Sequence, residues 1–164
     1  MATYATGGDG GRAVGSGSDP LASQGSPVLA ADNSLLFAVN AGSNSISVFA
    51  VNGDHLALHQ VIASGGFFPT GIAAHGDALY VLNAGAAANV TGFTINAGRL
   101  HRLRGDTRTL GLTETVPPAF LASPAEVGFT PDGRHLIVTR KTTNLIYPFV
   151  VKGDDRLSAS PVQT

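Results

Sequence analysis

The chain has 164 residues, enough for one ordinary core, of which 13% are charged and 43% hydrophobic, with 21 glycines. Low charge with many glycines and β-branched residues favours an all-β, turn-rich protein over a helical or disordered one. A net charge of −1 gives no case for nucleic acid or an anionic membrane, and the absence of cysteine excludes disulfides and thiolate chemistry.

The first 25 residues stand apart. Gly7-Gly-Asp-Gly-Gly-Arg12 and Gly15-Ser-Gly-Ser-Asp19 read as a flexible loop, without the Lys-Ser/Thr ending of a phosphate loop. Residues 2–6 are the one strand candidate, placed as the outermost strand of a sheet whose other strands are absent. The N-terminus has neither the basic nor the apolar region of a signal peptide, and no apolar run approaches a membrane span. The expected location is therefore cytoplasmic.

Beyond residue 25 the sequence repeats itself. Leu36-Phe-Ala-Val-Asn-Ala-Gly-Ser-Asn-Ser-Ile-Ser-Val-Phe49 returns as Leu79-Tyr-Val-Leu-Asn-Ala-Gly-Ala-Ala-Ala-Asn-Val-Thr-Gly-Phe93, and again as Leu136-Ile-Val-Thr-Arg-Lys-Thr-Thr-Asn-Leu-Ile-Tyr-Pro-Phe149. Phe37, Tyr80 and Ile137 are equivalent, 43 and 57 residues apart. The first spacing is that of a four-stranded propeller blade. The excess in the second falls between Arg104 and Pro124, where Gly105, Gly111, Pro117 and Pro118 suggest a long inserted loop.

Strands are expected at 27–31, 35–40, 45–51 and 56–63. The second set is 70–75, 78–83, 90–95 and 99–104, with a resumption around 113–116. The third is 126–130, 135–139, 144–151 and 156–162. Tight-turn residues such as Asn52-Gly-Asp54 and Thr130-Pro-Asp-Gly133 separate them. The fold expected is an all-β propeller segment: about three four-stranded antiparallel blades, at 26–64, 69–118 and 124–164, plus the orphan N-terminal strand. Phe49, Phe93 and Phe149 recur at one position of the third strand and belong to the core between blades.

The run Asp19-Pro-Leu-Ala-Ser-Gln-Gly-Ser26, the repeats, Ser64-Gly-Gly66 and Phe129-Thr-Pro-Asp-Gly-Arg-His-Leu-Ile-Val-Thr139 together resemble the lactonase-type seven-bladed propellers. That family includes bacterial 6-phosphogluconolactonase and fungal carboxymuconate-lactonising enzymes. The resemblance implies lactone chemistry without a cofactor, and seven blades where this chain supplies three and an orphan strand. Many members carry a His after the Pro that opens an inner strand; here Thr70 and Ala125 stand at those places.

In a propeller, one face carries the loops entering each inner strand and those between strands two and three, around the central channel. That face would hold Gln24, Asn40, Phe68, Asn83 and Asn144 as ligand contacts. Glu126 would be the acid/base, and Arg140 with Lys141 the carboxylate or oxyanion partners. The alternative is an ordinary ion pair on a solvated loop. For Asn40 and Asn83 the residue pattern favours bonds within their own turns, with ligand contact as the alternative. The histidines and turn aspartates lack the spacing of a metal site.

Three blades leave two apolar faces open, which points to homo-oligomerisation that completes a ring. Two functions follow. One is a self-associating assembly or binding module; the other is a cofactor-independent lactonase or lactonising enzyme acting on a sugar or carboxylated lactone.

Overall fold

The computed structural model describes residues 2–21, 25–141 and 143–162. Among them are eleven strands and no helix, so no helix is long and apolar enough to cross a membrane. The first sheet contains β1 (Pro27–Leu29), β2 (Leu35–Asn40), β3 (Ser45–Asn52) and β4 (His55–Ala63). The second contains β5 (Phe67–His75), β6 (Ala78–Gly85), β7 (Ala87–Asn96) and β8 (Arg99–Thr113). The third contains β9 (Pro124–Phe129), β10 (His135–Arg140) and β11 (Ile146–Val150). All three are antiparallel meanders, and together they form a partial propeller of three blades. Turn residues account for the tight reversals: Asn33 and Gly53, like Gly76 and Gly133, take the positive φ that such turns demand.

Alternation along each strand divides its side chains between two neighbours. Phe37, Ile46 and Val48 of the first blade meet Ile72, Leu79, Val81, Phe93 and Leu100 of the second in one core. Tyr80, Leu82, Val90, Leu110 and Leu112 turn the other way and meet Val127, Leu136, Val138, Phe149 and Leu157 of the third. Every residue of β6 is buried, because β6 alone of the second strands has a blade on each side. Each fully buried large side chain contributes roughly 1.5–3 kcal/mol. Gln60 adds a polar bridge between blades: its side chain accepts from Leu100 N at 2.8 Å and donates to Leu100 O at 3.1 Å.

Three details depart from the sequence-based expectation. The stretch after Arg104 is not an inserted loop, because β8 continues to Thr113. Its ladder with β7 slips between Phe93↔Arg102 and Thr91↔Thr107, so that residues 103–106 form a bulge, with Arg104 and Gly105 exposed and Asp106 buried. Gly105 and Gly111, which looked like breakers, supply positive φ within a continuing strand.

The third blade has three strands rather than four. Residues 157–162 follow β11 through the Val151↔Leu157 bridge and the bonds Ser158 N to Val150 O and Val162 N to Pro148 O. Pro148 and Pro161 each lack an amide donor, so no regular ladder forms there.

Residues 2–6 pair with no strand among the described residues. They lie on the open face of the first blade, where Ser47 Oγ donates to Thr6 O at 2.6 Å and Tyr4 packs edge-on against His55. The glycine-rich stretch that follows is a packed strap. Asp9 O accepts Gly42 N at 2.9 Å, and a Cβ on Gly11 would meet Ala41 and Phe68 at 2.8 Å. Ala13 is buried with Ala41, Phe68 and Ala84, and Val14 pairs with the 118–120 segment.

Candidate functional site

The inner strands β1, β5 and β9 converge at the channel side of the arc. Ile72 N donates to Gly25 O at 2.8 Å, and a Cβ at Gly25 would lie 2.7 Å from Glu126 Oε1. Glu126 is thus half-buried on β9 in the narrow space that Gly25 leaves by having no side chain. Its ladder partner is Thr139, and Arg140 follows across a bulge, opposite Pro124.

Glu126 does not pair with the two cations. Among the described residues the ion pairs are Arg108–Asp106, Arg134–Asp132 and Arg156–Asp154. Lys141 is held elsewhere: its Nζ donates to Phe120 O at 2.7 Å and to Ser123 Oγ at 3.0 Å, and lies 4.9 Å from the Phe120 ring centroid. Burial pushes its ammonium below the usual lysine range, against a small opposing pull from Asp19. Among the described residues, Arg140 Nε is buried without a hydrogen-bond partner, as is the hydroxyl of Thr70 on β5.

The proposed ligand contacts divide into three groups. Asn40 and Asn83 are 2% and 0% exposed and hold the chain around them. Asn40 Nδ2 donates to Ser45 Oγ and Ser47 Oγ at 3.1 and 2.8 Å. Asn83 Nδ2 donates to Asn89 Oδ1 at 3.1 Å and Ser64 O at 3.3 Å. Phe68 sits beneath the strap in a left-handed conformation, its N–H donating to Asn44 Oδ1 at 2.8 Å. Asn144 is exposed, in the left-handed conformation that Asn44 also adopts. Gln24 lies outside the described residues.

A cleft of about 240 Å³ opens on the opposite face, between Ala30–Leu35 and the Gly76-Asp77 turn. Its Asp32 carboxylate accepts from Ser34 N and Oγ, and these bonds hold it below the usual carboxylate range. The bonds close an Asx turn, which is structural chemistry. No group of three metal-ligating side chains occurs among the described residues.

One polar cluster escaped the sequence reading. The bulge in β8 carries Asp106 into the core between the second and third blades, where it is fully buried. Tyr80 Oη donates to its carboxylate, Arg108 Nη2 pairs with it at 2.7 Å, and Leu157 N donates to it at 3.2 Å. Arg108 also donates to the carbonyls of Leu157 and Ser158 at 2.8 and 2.7 Å. Burial, together with the adjacent carboxylate, raises the Tyr80 hydroxyl above the ordinary tyrosine range. With Asp106 fully buried and paired and Arg108 only 15% exposed, the cluster is a latch between blades.

Comparison with known proteins bears on the whole arc. The structure of the Pseudomonas aeruginosa periplasmic gluconolactonase superposes with a TM-score of 0.64 at 24% identity, over 84% of this chain and 38% of that one. A Lactobacillus plantarum protein gives 0.69 at 19% identity, over 85% and 40%. Kuenenia stuttgartiensis hydrazine synthase gives 0.57 at 22% identity, over 84% and 36%. The chain therefore spans about two fifths of the length of these structures. Proteins of such different names share the fold, so the likeness establishes architecture and leaves the reaction to the site. No curated protein matches the sequence. The sequence model described as "Lactonase, 7-bladed beta-propeller" matches residues 18–109, more than half of the chain. With three propeller blades and that match, the chain belongs to the lactonase family of seven-bladed β-propellers.

Proposed function

We propose that this chain works as an assembly module: a three-blade section of a lactonase-type propeller that associates with another copy to complete a ring. In this reading residues 1–25 are the connector and 26–164 the arc. One observation carries it. Ile46, Val90 and Ile146 occupy the same position of successive blades; the first two are 0% exposed and the third 62%. A position that is inter-blade core twice and bare once marks a surface built for a neighbour. Two copies would bring six sheets together, within the range that closes a propeller. Light scattering at micromolar protein tests this, with a mass that is a multiple of the 16.6 kDa chain as the expected result. A mass of one chain sinks the proposal.

Membership of the lactonase family and the position of Glu126 on the channel-side strand favour a second reading, in which the completed ring acts on a sugar or carboxylated lactone. Glu126 would activate water against the ring carbonyl, and Arg140, whose buried Nε has no partner among the described residues, would receive the oxyanion or a carboxylate. Lys141 would contribute by fixing the 120–123 segment that flanks β9. Lactone hydrolysis by the assembled protein, abolished by Glu126→Gln, is the expected outcome. Turnover indifferent to that change removes Glu126 from the chemistry.

A further inference from the structure

The N-terminal segment has a counterpart inside the chain. Tyr4-Ala5-Thr6-Gly7-Gly8 matches Ile62-Ala63-Ser64-Gly65-Gly66, which ends β4 and leads into β5. The match is conformational as well. Gly7 and Gly65 both have positive φ, at 76° and 86°.

The docking sites correspond, although the individual hydrogen bonds differ by a residue. Ser64 O accepts from Asn83, and the hydroxyl of Thr91 approaches Gly65 O at 3.5 Å. In the first blade Ser47, the counterpart of Thr91, donates one residue earlier, to Thr6 O, and Asn40, the counterpart of Asn83, donates to Ser45 and Ser47 instead. A Cβ on Gly8 would lie 2.6 Å from the Asn40 Cγ, as one on Gly66 would from the Asn83 Cγ. Thr6-Gly7-Gly8 therefore docks on the first blade as the linker from the first blade docks on the second. Residues 2–5 stand where the end of an outermost strand belongs, with no sheet beside them among the described residues.

The other end of the arc offers the missing edge. Among the described residues, the pairing of 157–162 with β11 reaches Pro148 O. Leu145 and Ile146, just beyond, are 50% and 62% exposed. In the first blade the equivalent residues are Ser45 and Ile46, and their ladder partners on β4 are Ala63 and Ile62. Carrying the match across sets Ala5 opposite Leu145 and Tyr4 opposite Ile146. The described residues fill the lower half of that edge, and residues 2–5 fit the upper half. The second blade lies between these two ends, so the donor is another copy.

We propose that residues 2–5 of one copy add as a strand to the upper edge of β11 in a second copy, joining the two as consecutive blades. Unpaired edge groups and an extended donor are what strand addition requires. Asn144 completes the joint. Asn44 accepts Ser64 N on its carbonyl at 2.9 Å and Phe68 N on its side chain at 2.8 Å. Asn144, exposed in the same conformation, presents the same two acceptors to Thr6 and Gly10 of the partner copy. This inference rests on the assembly reading and adds its register.

The chain has no cysteine, so introduced thiols report cleanly. Ala5→Cys and Leu145→Cys are both exposed substitutions, prepared separately, mixed and gently oxidised. Directly opposed residues bring Cβ atoms to about 4.5–5.5 Å, and a disulfide forms after slight adjustment. The expected result is a covalent dimer at roughly tenfold the yield given by Ala5→Cys with Val150→Cys, whose site is about 17 Å further along the strand. Equal yields from the two mixtures, or none from Ala5/Leu145 while light scattering reports an oligomer, overturn the strand addition and leave the assembly reading intact. A single-chain mass overturns both.

Discussion

Replacing Asp106 by alanine removes the carboxylate at the centre of the latch between the second and third blades. Three groups lose a partner: the Tyr80 hydroxyl, the Arg108 guanidinium and the Leu157 amide. Truncating one side of a buried ion pair costs about 3–5 kcal/mol, because the remaining charge is left unpaired. Arg108 keeps the carbonyls of Leu157, Ser158 and Gly105, which places the loss near the lower limit, at about 3 kcal/mol. With a urea slope of about 2 kcal/mol/M, the midpoint falls by about 1.5 M at unchanged slope. Urea unfolding followed at one fixed protein concentration measures this, since assembly makes stability concentration-dependent. Replacing Asp106 and Arg108 together by Leu and Met removes both charges and restores most of the loss. A midpoint within about 0.3 M of wild type for Asp106→Ala would refute the latch.

Tyr80 predicts an alkaline transition. Burial, reinforced by the Asp106 carboxylate, raises its folded pKa above the ordinary value of about 10. The unfolded chain therefore ionises first, and the Tyr80 contribution, fully present below about pH 10, is lost as pH rises beyond it. Stability measured from pH 8 to 11 should decline more steeply in wild type than in Tyr80→Phe; parallel curves would contradict this origin. The strap gives another test. A Cβ at Gly42 would collide with the Gly10 carbonyl, so Gly42→Ala should lift the strap and expose Arg12 to trypsin. Cleavage after Arg12 at the wild-type rate would show that the strap does not depend on that contact.

Alternation and turn chemistry were enough to locate most strands within a residue or two; β2 runs 35–40 as expected. What eluded the sequence shares a physical reason. Glycine is the residue both of flexible loops and of close backbone approach. Gly8 and Gly11 therefore read as slack when they are packed, and Gly105 read as a break inside a continuing strand. The latch left one trace: Tyr80 stands where the other repeats have Phe37 and Ile137. A hydroxyl at a core position needs a buried partner. That partner, Asp106, lies in the stretch that read as an inserted loop. At the candidate site the sequence brought Glu126 and Arg140 to one inner corner. It could not show that the Lys141 ammonium would reach past them to the Phe120 carbonyl.

The complete burial of β6 has a consequence for how the arc opens. The middle blade is clamped from two sides, while each terminal blade is held from one. Amide protons of β6 should therefore exchange at the rate of global unfolding, and those of β4 and β11 through smaller, local openings. On that expectation the chain should open first at its two terminal blades, where a neighbour would dock. A docked neighbour would be recorded first as slowed exchange at the ends, while the middle stays as it was.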